Sequence, residues 1–112
     1  MTKVYISSPY SQGSTIFNVR LAIEAANTLL LEGFTPFVPH LNFAWDLIYP
    51  HSYHTWLDWC LDWVIACDCL LRIHGASPGA DAEVALAEGI GMPVYYSVCE
   101  LLEGERGEGE DE

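Results

Sequence analysis

The chain has 112 residues and a formal charge of −12, with only Lys3, Arg20, Arg72 and Arg106 basic. That field repels phosphate backbones and anionic headgroups, which argues against a nucleic-acid polymer or a membrane surface as partner. A hydrophobic share of 51% and four Trp support one packed domain. No apolar run reaches the ~20 residues of a membrane span. The segment Met1 to Tyr5 lacks the regions of a secretory signal, so a cytoplasmic location is expected. Cys60, Cys67, Cys69 and Cys99 show neither C-x-x-C nor paired-ligand spacing and are expected as reduced thiols. His40, His51, His54 and His74 make no metal-ligand set, and no cofactor is expected.

Val4 to Ser7 reads as a short buried strand, followed by a turn-rich stretch from Ser7 to Ser14. Between about Thr15 and Glu32 the apolar residues Val19, Ala22, Ile23, Ala26, Leu29 and Leu30 fall at helical spacing, and Gly33 supplies the stop. Thr35 to Val38 is a second strand, kept short by Pro36 and Pro39. A long aromatic connection runs from His40 to about Tyr53, then a helix from about Thr55 to Ala66. Cys69 to Ile73 is the third strand and His74 to Gly79 a loop. A helix over Asp81 to Glu88 follows, opened by Pro78 and Gly79 and stopped by Gly89, and Pro93 to Tyr96 is the fourth strand. Glu100 to Leu102 reads as a last helical turn. From Glu103 onward six acids stand against one Arg. A Gly/Glu run of this kind buries too little apolar surface to order itself. The expected organisation is therefore one domain over residues 1–102 and a disordered acidic tail over 103–112.

Strand–helix alternation predicts an α/β layer fold, a parallel sheet with right-handed crossovers. Ligands in such folds sit beyond the C-terminal strand ends, where the strand order reverses. The loops at residues 7–14 and 74–79 are thus the places to look for chemistry.

Behind the second loop stands Ser77-Pro78-Gly79-Ala80-Asp81-Ala82-Glu83. The free N–H groups of that helix start, with the Ser77 hydroxyl, make an anion site, and Gly79 lets a ligand approach the backbone. Glu83 lies about one turn further in, where the helix dipole favours the ionised carboxylate that a nucleophile needs. Tyr5 on the first strand is placed to orient such a carboxylate. Ser7, Ser8 and Tyr10 are candidates for a polar pocket wall. The aromatic residues Phe43, Trp45, Tyr49, Tyr53, Trp56, Trp59 and Trp63 are expected mainly to pack the helix against the sheet or a partner subunit, with one or two lining a base pocket.

Val4-Tyr5-Ile6-Ser7-Ser8-Pro9-Tyr10, Asn18-Val19-Arg20 and Pro36-Phe37-Val38-Pro39-His40-Leu41 resemble the first half of the nucleoside 2-deoxyribosyltransferase-like superfamily. Cys67-Asp68-Cys69-Leu70-Leu71-Arg72 and Ser77-x-Gly79-Ala80-Asp81-x-Glu83 resemble its second half, so the likeness spans about residues 3 to 102. It implies a flavodoxin- or Rossmann-like three-layer sandwich with a four- to five-stranded parallel sheet. It also implies cleavage or transfer at the N-glycosidic bond of (deoxy)nucleosides or their 5'-monophosphates through a covalent glycosyl-Glu intermediate. Glu83 would be the nucleophile, Tyr5 its orienting partner, and Ser7, Ser8, Tyr10, Ser77, Gly79 and Asp81 the substrate contacts. A homodimer or higher homo-oligomer is implied as well. Ser77, standing where nucleoside-specific relatives carry Asp, tilts the choice towards a monophosphate, since a hydroxyl donates to phosphate and a carboxylate repels it.

One departure stands out. The position of the family's usual general acid is Cys60 here, and Asp58 and Asp62 lie ~200° away around the helix. The thiol as donor, another group as donor, and a weak enzyme all remain open. The alternative reading is a nucleotide-derivative binding or sensor module on the same fold.

Overall fold

The computed structural model describes residues 1–10 and 13–110, with side chains described as far as residue 106. The strands β1 (Lys3–Ser7), β2 (Thr35–Phe37), β3 (Cys69–Arg72) and β4 (Val94–Tyr95) form a parallel sheet in the order β2-β1-β3-β4. Tyr5 pairs with Phe37 on one side and Leu70 on the other, and Ser7 pairs with Arg72. The chain leaves β1 for the edge and returns across it to β3, so the order reverses between these two central strands. In open α/β sheets that reversal opens a crevice at the strand ends.

The period of two along a strand divides the sheet into two faces. Val4 and Ile6 join Cys69 and Leu71 on one face, covered by Ala22, Ala26 and Leu29 of α1 (Thr15–Leu31) and by Leu101 of α5 (Val98–Glu110). Tyr5 and Leu70 point the other way, towards Val64 of α3 (Tyr53–Ile65) and Ala87 of α4 (Pro78–Gly89). The result is the expected three-layer α/β sandwich, with four strands. Four helices begin at a serine whose hydroxyl accepts a backbone N–H: Ser14 from Phe17, Ser52 from Thr55, Ser77 from Ala80 and Ser97 from Glu100. Such caps satisfy donors that a helix start otherwise leaves orphaned.

Two stretches differ from expectation. The aromatic connection is largely helical: a 3-10 turn at Pro39–Leu41 runs into α2 (Asn42–Ile48). Leu41 offers α2 no side-chain cap, so no start signal is written in the sequence. Contacts to α3 hold it instead, through Asp46 and Trp56. The acidic stretch is the second case, because α5 continues past Glu103 to Glu110. The Tyr95 hydroxyl donates to Glu105 at 2.6 Å. Its ring lies where a side chain on Gly104 would stand, 2.5 Å from an ideal Cβ. Arg106 donates to the backbone carbonyl and the carboxylate of Glu32, at 3.1 and 2.9 Å. These contacts tie α5 to the folded body as far as Arg106; residues 111–112 lie outside the described residues. No described helix is long and apolar enough to cross a membrane.

Candidate active site

β1 sends Tyr5 and Ser7 to the face covered by α4, and there both meet Glu83. The Tyr5 hydroxyl donates to Glu83 Oε2 at 2.7 Å, and the Ser7 hydroxyl donates to Oε1, also at 2.7 Å. All three side chains are buried. A carboxylate out of water is costly unless hydrogen-bonded, and here each oxygen has its own hydroxyl donor.

Burial pushes the Glu83 carboxyl above the usual range; hydrogen bonds from Ser7, Tyr5 and Cys60 and the charge of Arg72 oppose that rise without cancelling it. The helix-dipole argument, which favours the ionised form, is thus outweighed by desolvation. Burial, then the Glu83 charge, drives the Tyr5 phenol far up, so Tyr5 stays a donor. Burial likewise pushes the Cys60 thiol up to about 11. Cys60 is therefore a neutral thiol at neutral pH, interacting with both Tyr5 and Glu83.

The clamp opens on a cavity of about 590 Å³ between the ends of β1 and β2, α2, the first turns of α3 and the start of α4. That volume falls within the ~300–1,000 Å³ of small-molecule sites. Glu83 and Cys60 stand on its wall with Ser77, Gly79, Trp56 and Tyr53. Its rim is tied together from three loops. His40 Nε2–H donates to the Pro9 carbonyl at 2.7 Å, and Tyr10 meets the His40 ring edge-on at 5.3 Å between centroids. Burial holds the His40 pKa down, against the opposing pull of the Pro9 carbonyl, which leaves the ring neutral with Nδ1 bare. Gly75 packs against the ring of Pro9. Its φ is +133°, and a Cβ there would stand 2.6 Å from Pro9 Cγ.

Residues 2–97 match the model of a family described as a domain of unknown function, DUF7768. The chain belongs to that family. Among solved structures it is similar to a 2-deoxyribosyltransferase from Bacillus psychrosaccharolyticus, with 21% identity and a TM-score of 0.60, over 83% of this chain and 69% of that one. It is also similar to a 2-deoxyribosyltransferase from Leishmania mexicana, with 18% identity and a TM-score of 0.58, over 87% of this chain and 65% of that one. The chain thus spans just under two thirds of the length of the Leishmania enzyme. At such identities the likeness shows the shared Rossmann-like fold. No curated protein sequence matches the chain significantly.

In this DUF7768 domain, eight of the nine candidate residues gather at one place. Glu83, Cys60, Ser8, Tyr10, Ser77 and Gly79 line the cavity, and Tyr5 and Ser7 brace Glu83 from behind. Ser77 Oγ is occupied as the α4 cap, accepting from Ala80 N at 3.1 Å. Ser8 Oγ donates to the Pro9 carbonyl at 3.3 Å. Asp81 is the exception and corrects the expectation of a substrate contact in this cavity. Two residues from Glu83 along α4, it faces ~200° around the helix. It pairs with Arg72 at 3.2 Å beside a separate hollow of about 620 Å³. Arg72 is spent there, also donating to the carbonyls of Ile73 and Gly75.

Other wall residues were not among the candidates. His40, Asn42 and Asp46 line the cavity because the 3-10 turn and α2 fold back over the strand ends. Of the aromatic residues, Tyr10, Tyr53 and Trp56 reach the cavity. Trp59 and Trp63 pack instead on Phe37, the latter stacked at 4.9 Å.

Proposed function

We propose that this protein cleaves or transfers the N-glycosidic bond of a nucleoside, with Glu83 as nucleophile. One observation carries the reading: a buried carboxylate, held on both oxygens by Tyr5 and Ser7, opens on a cavity of nucleoside size. The geometry is that of a positioned nucleophile, since neither oxygen is free to rotate away from the cavity.

In the proposed reaction Glu83 attacks C1' of the sugar. The C1'–N bond breaks, its electron pair leaves with the base, and the base nitrogen takes up a proton. Water or a second base then attacks C1' and frees Glu83, so two displacements retain the configuration. Tyr5 and Ser7 hold the carboxylate while its charge disappears and returns. Cys60, a protonated thiol at neutral pH, is the nearest candidate for the proton the base needs.

The charge of the cavity bears on substrate. Among its described lining residues none is Lys or Arg, while Asp46 and Glu83 are carboxylates. Arg72 is engaged beside the other hollow, and Arg20 pairs with Glu24 on an exposed turn of α1. A phosphate dianion would find backbone N–H groups and hydroxyls but no cation. We therefore favour an uncharged nucleoside over the 5'-monophosphate that Ser77 alone suggested.

The test is incubation with nucleosides and 5'-monophosphates, with and without an acceptor base, followed by chromatography of free base. Release that disappears in Glu83→Gln supports the reading; release that survives the substitution refutes it. Tight binding without turnover, unchanged in Cys60→Asp, favours the binding-module alternative. We also infer a homo-oligomer, because Leu47, Ile48 and Tyr49 near the cavity mouth stand exposed and such contiguous apolar surface is unusual on a monomer. Sedimentation gives the state directly.

A further inference from the structure

Asp46 is the one carboxylate on the cavity wall that the proposed reaction does not use. It sits on α2, half-buried. Its Oδ1 accepts from the Trp56 indole N–H at 2.6 Å and from the His51 backbone N–H at 2.9 Å. Its Oδ2 has no hydrogen-bond partner among the described residues. Two donors on one oxygen fix the plane of the group and leave the second oxygen to a ligand. The His51 and Trp56 donors also hold its carboxyl below the usual range, so the group is an anion at neutral pH and only accepts.

The wall around Asp46 decides which part of a nucleoside it meets. Glu83 fixes where C1' lies, and Ser77 and Gly79 of α4 flank that point. Asp46 shares the lining of this cavity with the rings of Tyr10 from the loop after β1, His40 from the 3-10 turn, and Tyr53 and Trp56 from α3, which together form an aromatic wall. Flat apolar faces suit the base and not the sugar. The Trp56 ring that orients Asp46 is itself part of that wall.

Resting on the nucleoside reading above, we propose that Asp46 is a specificity-determining residue: its free oxygen accepts an N–H of the nucleobase and selects bases that carry one at the edge facing α2. A base that offers only acceptors there leaves the carboxylate facing a lone pair, which is repulsive as well as unpaired. The selection is for an amino or imide N–H, and it operates on binding, before any bond is broken.

Carbocyclic nucleosides test this, because they lack the ring oxygen that glycosidic cleavage requires and so report binding alone. Calorimetry would compare the carbocyclic nucleosides of adenine, guanine, cytosine and uracil with analogues carrying purine or 2-pyrimidinone, which have no N–H on the base. The wild-type protein should bind its best N–H-bearing nucleoside about 10- to 100-fold more tightly than the matching analogue, the range for a hydrogen bond to a charged group. Asp46→Asn keeps an acceptor for Trp56 and His51 but turns an NH₂ towards the ligand, so that preference should vanish or invert with the fold intact by circular dichroism. Trp56→Phe, which frees the carboxylate without removing it, should shrink the preference without inverting it. Equal affinities in the wild type, or a preference untouched by Asp46→Asn, would overturn the proposal. Selective binding with no Glu83-dependent release of base from true nucleosides would keep it and refute the catalytic reading. No binding of any nucleoside would end both.

Discussion

On one side of the sheet Val4, Ile6, Cys69 and Leu71 meet α1 and α5 in an apolar contact; on the other, Tyr5 and Ser7 of the same strand reach Glu83 beside a cavity. One five-residue strand thus serves two purposes by alternation. The first side stabilises through burial of apolar area, at about 25 cal/mol per Å². The second gives up some of that gain to hold a carboxylate out of water. Stability and chemistry are separated across the thickness of a single β-strand, and substitutions on the two sides should behave differently.

The sharpest break in this comparison is at Glu83. Glu83→Gln should lower base release by about 10⁴-fold or more, as loss of a covalent nucleophile does elsewhere, read by chromatography of free base. The same change should raise the melting temperature at neutral pH. The sign follows from linkage. Because the folded-state pKa of Glu83 is raised, its contribution to stability is fully present below the ordinary carboxylate range and is lost as pH rises through the raised value. Calorimetric scans across that window should show a decline in the wild type that the Gln variant lacks.

The opposite face should answer in the opposite way. Leu71→Ala, at a position 1% exposed, should cost about 2–5 kcal/mol in urea titrations, with the acid limb of activity unmoved in the protein that remains folded. Tyr5→Phe lies between the two. It removes one donor from the ionised carboxylate, so the acid limb of the activity profile should move to higher pH by roughly one unit, on the order of the worth of a hydrogen bond to a charged group. The smallest effect is far from the cavity. Tyr95→Phe, which breaks the bond to Glu105, should cost about 0.5–1.5 kcal/mol, detectable as faster amide exchange in α5 with base release unaltered.

Legibility of the chain followed the range of the forces involved. β1 and β3 and helices α1, α3 and α4 stand where apolar periodicity and Gly or Pro punctuation place them, because those signals are local. The convergence of Tyr5, Ser7 and Glu83 was also within reach, since strand ends and helix starts meet at a parallel sheet's switch point. What was not legible depends on contacts between distant residues. α2 has no capping side chain and forms against Trp56, so Asp46 could not be placed on the cavity beforehand. The helical course of residues 103–106 rests on Tyr95 and Glu32. Asp81 shares the Ser77–Glu83 motif with the cavity residues, yet helical rotation sends it to Arg72.

The close approach of Gly75 to Pro9 has a consequence for how the rim tolerates change. Pro9 meets that glycine through its ring and His40 through its carbonyl, so the loops that follow the three neighbouring strands are linked through one residue. One added methyl group at residue 75 would press on the Pro9 ring, and Pro9 is the residue whose carbonyl holds His40 on the cavity wall. A position outside the cavity lining thus bears on a residue within it.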